Sequence, residues 1–166
     1  LGYPGGPIVD NLAQKGNPAA IAFPRPRPNS TRGKSRVSVE MRRPLDMSFS
    51  GLKTSVRNYL EKTSGWRAAD VAASFQAAVA DVLIDRIKQA MAITGINVVA
   101  IGGGVAANSE LRQRIEALNC KSIIPPRRRC TDNGAMIANC GRLRLLAGQV
   151  DDYGFKARSK WKPGET

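Results

Sequence analysis

The run Ile96 to Ile101 (INVVAI) constrains this chain most, because it stands between a long helical pattern and three successive glycines. It is short, rich in β-formers and polar only at Asn97, the composition of a strand buried on both faces. Ahead of it, from about Ala68 to Ile93, Val71, Phe75, Ala78 and Val82 form one apolar row. Val79, Leu83, Ile87 and Met91 form a neighbouring row. That spacing predicts a helix about 39 Å long, ended by Thr94-Gly95. After the strand, Gly102 to Gly104 make a tight turn, and a helix runs from about Ala107 to Leu118 with Leu111, Ile115 and Leu118 on one side. Ser122 to Ile124 reads as a short strand, Asp132 to Ala147 as a helix, and Pro7 to about Lys15 as an early helix stopped by Gly16. Alternating helices and strands with short turns predict an α/β domain on a mainly parallel sheet. Ligands of such sheets bind beyond the carboxyl ends of the strands, where the glycine turn and the CTDN segment both fall.

Composition narrows the partners. With 166 residues the chain is one ordinary domain or half of a two-lobed protein, and its opening, Leu1 to Pro7, reads like the middle of a domain, so a fragment is expected. Lys and Arg number 26 against 13 Asp and Glu, a net +13 that favours polyanions, although a basic protein with no nucleic-acid role fits the charge equally well. Residues 24 to 44 carry seven Lys/Arg, four Pro and one Glu, as an exposed loop or a phosphate clamp would. Cys120, Cys130 and Cys140 are odd in number and lack a CxxC pair, which argues against a disulfide framework or a zinc site and fits a reducing compartment. There is no His, so His-based acid–base chemistry is absent from these residues. No apolar run approaches the roughly 20 residues that cross a bilayer.

Four local patterns bear on chemistry. IGGGVAAN (Ile101 to Asn108) lets backbone N–H groups approach a ligand at a helix start, with Asn108 beside them to donate and accept; a plain tight turn explains the same residues. It is not GxGxxG, which disfavours a dinucleotide site. In CTDNGAMIA (Cys130 to Ala138), Asp132 faces a cation, or else Asp132 or Thr131 caps the next helix. YPGGP (Tyr3 to Pro7) opens a helix carrying Asp10, able to accept from ribose hydroxyls or to sit in the first turn as an acid favoured by the helix dipole. SFSGLKTSV (Ser48 to Val56) packs hydroxyls, a glycine and Lys53 into a strand-to-helix bend.

Together and in this order, YPGGP, MSFSGLKTSV, AASFQAAVADVL, IGGGVAANSELR and CTDNGAMIA resemble the transferase subunit of the tRNA threonylcarbamoyladenosine synthesis family, once labelled O-sialoglycoprotein endopeptidase. The resemblance runs from Leu1 to about Gly148. It implies an actin/Hsp70/sugar-kinase-like (ribonuclease-H-like) lobe, with residues 1–166 as the carboxyl-terminal part of a two-lobed enzyme and a basic insertion at about 24–44. The implied activity is transfer of threonylcarbamoyl from threonylcarbamoyl-adenylate to the exocyclic amine of the adenosine beside the anticodon of tRNA. By motif, Gly6, Gly103, Gly104 and Asn108 would contact the nucleotide, Asp10 its ribose, and Asp132 a divalent metal, iron in this family. No residue stands out as a general base.

The family's HxxxH metal pair, phosphate loop and second nucleotide-binding Asp belong to an amino-terminal lobe not found among these residues. The resemblance therefore implies a fragment that is inactive alone and holds metal weakly. It also implies accessory proteins, no membrane association, and a cytoplasmic setting (mitochondrial or plastid in a eukaryotic source). The tail KARSKWKP only loosely echoes the family's Arg-Pro-Arg-Trp ending. Rival readings are a phosphotransferase of the same fold, which wants a carboxylate base over a hydroxyl, and a non-catalytic basic module that docks on RNA. A serine-type protease is not supported without a His.

Overall fold

In a computed structural model of the chain, residues 2–26, 45–154 and 156 are described. Most of the basic stretch 24–44, and all of the tail beyond residue 156, lie outside them. The elements are helices α1 (Gly5–Ala13), α2 (Ser50–Lys62) and α3 (Ala68–Thr94), strand β1 (Val98–Ala100), helix α4 (Ser109–Glu116), strand β2 (Lys121–Ile123) and helix α5 (Gly134–Leu146). Two compact units divide the chain, residues 1–131 and 132–166. The first is α/β with a small parallel sheet, as the alternating pattern predicts.

Helix α3 is the spine of that unit. The predicted span, Ala68 to Ile93, is one residue short of the observed helix. Gly95 ends the helix in the left-handed region (φ 69°), its N–H bonded to the Met91 carbonyl. Three faces of α3 are used. Ala72 and Ala73 meet Ala13, Val9 and Leu12 of α1. Val71 and Ala78 enclose Phe23 and Leu52 with α2, where Phe23 and Tyr59 pack edge to face at 5.7 Å. Ile84 joins Leu111 and Ile115 of α4 under Val99, Ile101 and Ile124 of the sheet region. Both predicted apolar rows contribute to these contacts.

Strand β1 departs from its expected burial. Among the described residues it pairs only with β2, in parallel, in the register Val98↔Lys121 to Ala100↔Ile123. Val99 and Ile101 turn inward, but Val98 stays 47% and Ile123 52% exposed. Side chains alternate across a strand, and α3 and α4 cover only one face of this sheet. Other boundaries shift for local reasons. Helix α1 starts at Gly5. The expected helix from Ala107 divides into a 3-10 turn (Gly104–Ala107) and α4, because Asn108 is extended (φ −63°, ψ 132°) as the N-cap. No strand precedes α2 among the described residues, so MSFSG is a loop-to-helix entry. In the second unit, Asn133 rather than Asp132 or Thr131 caps α5, accepting from Met136 N–H at 3.2 Å. Ile137, Leu145 and Leu146 of α5 are exposed.

An ionic cluster ties the start of the basic segment to the spine. Asp81 on α3 accepts from both Arg25 and Arg114, and Arg114 also donates to Glu110 at 2.7 Å. Burial alone would raise the Asp81 pKa. The hydrogen bonds and charges of the two guanidiniums outweigh it and hold the carboxyl below its ordinary 3.8. A lowered folded-state pKa means stability that is present above 3.8 and disappears as the pH falls through the folded value. Asp81→Asn is expected to cost about 1 kcal/mol at neutral pH, since both pairs are partly solvated. In melting curves, the gap between wild type and variant should close as the pH is taken below 3.8.

Candidate adenylate-binding cavity

The first unit contains a cavity of about 830 Å³ beyond the carboxyl end of β1, within the size range of small-ligand sites. Its walls come from α1 (Gly6, Asp10), α3 (Gln76) and the turn into α4 (Gly104, Asn108), with Arg127 at the rim. Four of the five residues predicted to meet a nucleotide therefore share one cavity. The fifth, Gly103, stands next to Gly104 and needs to be glycine for its own reason. Its φ of 78° is a conformation that L side chains rarely adopt. Gly6 and Gly104 have neither constraint, because a Cβ built on either meets nothing within 4 Å. Packing does not explain those two glycines.

The polar centre is a network around α4. Asp10 Oδ2 accepts from Ser109 Oγ at 2.7 Å, and Asp10 Oδ1 accepts from Ser109 N–H and Asn108 Nδ2, each at 3.2 Å. Asn108 Nδ2 also donates to Gln76 Oε1 at 2.8 Å, and Asn108 Oδ1 caps α4 by accepting from Leu111 N–H at 2.9 Å. The dipole that favours the Asp10 carboxylate is thus that of α4. It is not that of α1, where Asp10 lies past the first turn. Both N–H groups of Asn108 are already engaged, so a nucleotide that claims one must displace Gln76 or Asp10.

Sequence reasoning missed Gln76, Ser109 and Arg112. Gln76 is buried on α3 and reaches Asn108 across 32 positions of sequence. Arg112, half-buried, donates to the Ala106 carbonyl at 2.7 Å, to the Pro125 carbonyl and to Cys130 Sγ at 3.2 Å. It joins the turn after β1 to the turn after β2. A Gln in the middle of an otherwise alanine-rich buried face was the one available signal for Gln76.

Asp132 belongs to the second unit and is exposed. Among the described residues no three His, Cys, Asp or Glu side chains gather as a metal ion needs, so these residues do not by themselves fit a metal centre. No described helix is long and apolar enough to cross a membrane.

Comparison with known proteins shows the family. The family model described as TsaD, tRNA N6-adenosine threonylcarbamoyltransferase, matches residues 1–139. The chain is 43% identical over 170 residues to the tRNA N6-adenosine threonylcarbamoyltransferase of Thermodesulfovibrio yellowstonii, covering 96% of this chain and 47% of that protein. It is 42% identical over 173 residues to the protein of that name from Methylorubrum populi, covering 97% of this chain and 46% of the relative. A third relative of the same name, from Trichlorobacter lovleyi, is 40% identical over 169 residues, with 97% and 46% covered. The chain spans about half the length of the curated relatives it matches. With a family model aligned through the YPGGP, GGVAAN and CTDN motifs, this chain belongs to the tRNA N6-adenosine threonylcarbamoyltransferase family.

Proposed function

We propose that this chain is the carboxyl-terminal part of a tRNA N6-adenosine threonylcarbamoyltransferase of actin/Hsp70/sugar-kinase-like architecture, and that its cavity forms one wall of the adenylate site. The observation that carries the reading is that Gly6, Asp10, Gly104 and Asn108, from segments about 100 residues apart, line a single cavity. In the proposed reaction the exocyclic amine of the tRNA adenosine bonds to the carbamoyl carbon of threonylcarbamoyl-adenylate. The bond from that carbon to the phosphate oxygen breaks, AMP leaves with the electron pair, and the amine proton passes to solvent. This chain's share is binding and orientation. The glycine turn lets the backbone approach the nucleotide, and the Asp10 carboxylate offers acceptors to ribose hydroxyls.

Asp132 is proposed as a single ligand to a divalent cation, iron by family resemblance, whose remaining ligands would come from outside this chain. No step is routed through it. Accessory proteins of the threonylcarbamoylation system and a cytoplasmic setting belong to the same proposal.

Amide NMR of the 166-residue chain titrated with AMP tests the reading. Resonances of Gly6, Gly104 and Ser109 should move together in one saturable process, and Gly6→Val, which puts a side chain into the cavity, should weaken it at least about tenfold. Shifts scattered away from the cavity, or none at all, would sink the proposal.

A further inference from the structure

Three consecutive arginines, Arg127, Arg128 and Arg129, form a 3-10 turn after β2, and all three are exposed. Among the described residues neither Arg128 nor Arg129 enters any ion pair. Like charges at such spacing repel, so the fold gains nothing from gathering them there. The turn is nevertheless firmly held. Arg129 N–H and Cys130 N–H donate to the Pro126 and Arg127 carbonyls at 2.8 and 3.1 Å, and Cys130 is 2% exposed beneath them. Arg112 braces both ends of the turn, through the Pro125 carbonyl and Cys130 Sγ. Arg127 bends toward the cavity, lining its rim and donating to Ser109 Oγ at 3.2 Å, the hydroxyl that donates to Asp10. A rigid cationic edge therefore borders the cavity, one arginine facing in and two facing out.

We propose that this arginine turn is a docking rim for the sugar–phosphate backbone of RNA. Arg128 and Arg129 grip phosphates, and Arg127 marks where an unstacked base enters the cavity. The proposal rests on the transfer to tRNA proposed above and adds a surface to it. Guanidiniums suit phosphate because their N–H groups form a planar fork, and a pre-held turn loses little freedom on binding. Bases acted on by enzymes are presented out of the stack, so the phosphate grip belongs beside the pocket.

The test is fluorescence anisotropy of a labelled RNA hairpin with adenosine in its loop, titrated with the full chain across a series of KCl concentrations. Arg128→Gln/Arg129→Gln is compared with wild type and with Lys53→Gln/Lys62→Gln, which removes two exposed charges from α2. Losing two phosphate contacts should make the slope of log K against log[KCl] less negative by about 1.4 to 1.8. The α2 variant should change it by less than about half as much. Equal slopes for wild type and the arginine variant, equal changes in the two variants, or no RNA binding by wild type would each overturn the rim.

AMP titrations of the same samples separate the two ideas. If the arginine variant loses AMP while its salt slope stays put, the arginines serve the adenylate phosphate and the rim is wrong. If wild type ignores AMP while the arginine variant's slope becomes less negative, the rim stands and the adenylate reading of the cavity fails.

Discussion

Gly16→Ala is expected to be the most damaging single methyl group in the described fold. A Cβ at Gly16 would lie 2.0 Å from the carbonyl oxygen of Ala69 and 2.3 Å from its carbon. Both are backbone atoms of α3 and cannot swing aside. The segment is also stitched down on either side. Arg67 donates to the Lys15 carbonyl at 3.0 Å, Asn17 N–H to Asp70 Oδ1 at 2.8 Å, and Ile21 N–H to Ser74 Oγ at 3.1 Å. Relief therefore requires lifting the end of α1 off the spine. Overpacking of this kind costs about 3 kcal/mol, or about 9 °C in melting temperature for a chain of this size. Gly51→Ala on α2, where a Cβ meets nothing within 4 Å, should be neutral or stabilising by up to about 1 kcal/mol. Equal melting temperatures for the two variants would show that the α1–α3 contact yields easily.

Asn108→Ala should come next, at about 2.5 kcal/mol. It removes the α4 cap, worth about 1 kcal/mol, and leaves the buried Gln76 amide oxygen without its donor, for a further 1 to 2 kcal/mol. Asn108→Ser separates the parts, because a hydroxyl restores the cap but cannot span to both Gln76 and Asp10. It should recover about 1 kcal/mol of the loss in denaturant unfolding. A loss below about 0.5 kcal/mol for the alanine variant would mean that the network organises the cavity without stabilising it.

How much of this was legible beforehand depended on range. The long helix was legible because its two apolar rows run without a break from Val71 to Met91 and Gly95 closes them, all of it local information. The cavity was legible only in part. Gly6, Asp10, Gly104 and Asn108 could be picked out as residue types suited to a ligand, and the family resemblance named their company. Their partners could not. Gln76, Ser109 and Arg112 act through contacts 13 to 99 positions away or through backbone carbonyls, and neither periodicity nor motif encodes such pairing. INVVAI misled for a related reason. An apolar run reports what a strand is suited to, and here Val98 and Ile123 stay about half exposed. Gly16 was read as the stop of a helix reaching Lys15, but α1 ends at Ala13 with Gln14 as its C-cap, and what holds position 16 to glycine is its close approach to Ala69, a tertiary fact that glycine alone cannot announce.

The Arg112 brace has a consequence for anyone exchanging parts between relatives. One guanidinium holds carbonyls of two different turns, Ala106 in one and Pro125 in the other, so the two form a matched set. A chimera that imports the arginine-bearing turn while keeping a foreign residue at position 112 would receive its sequence without its shape.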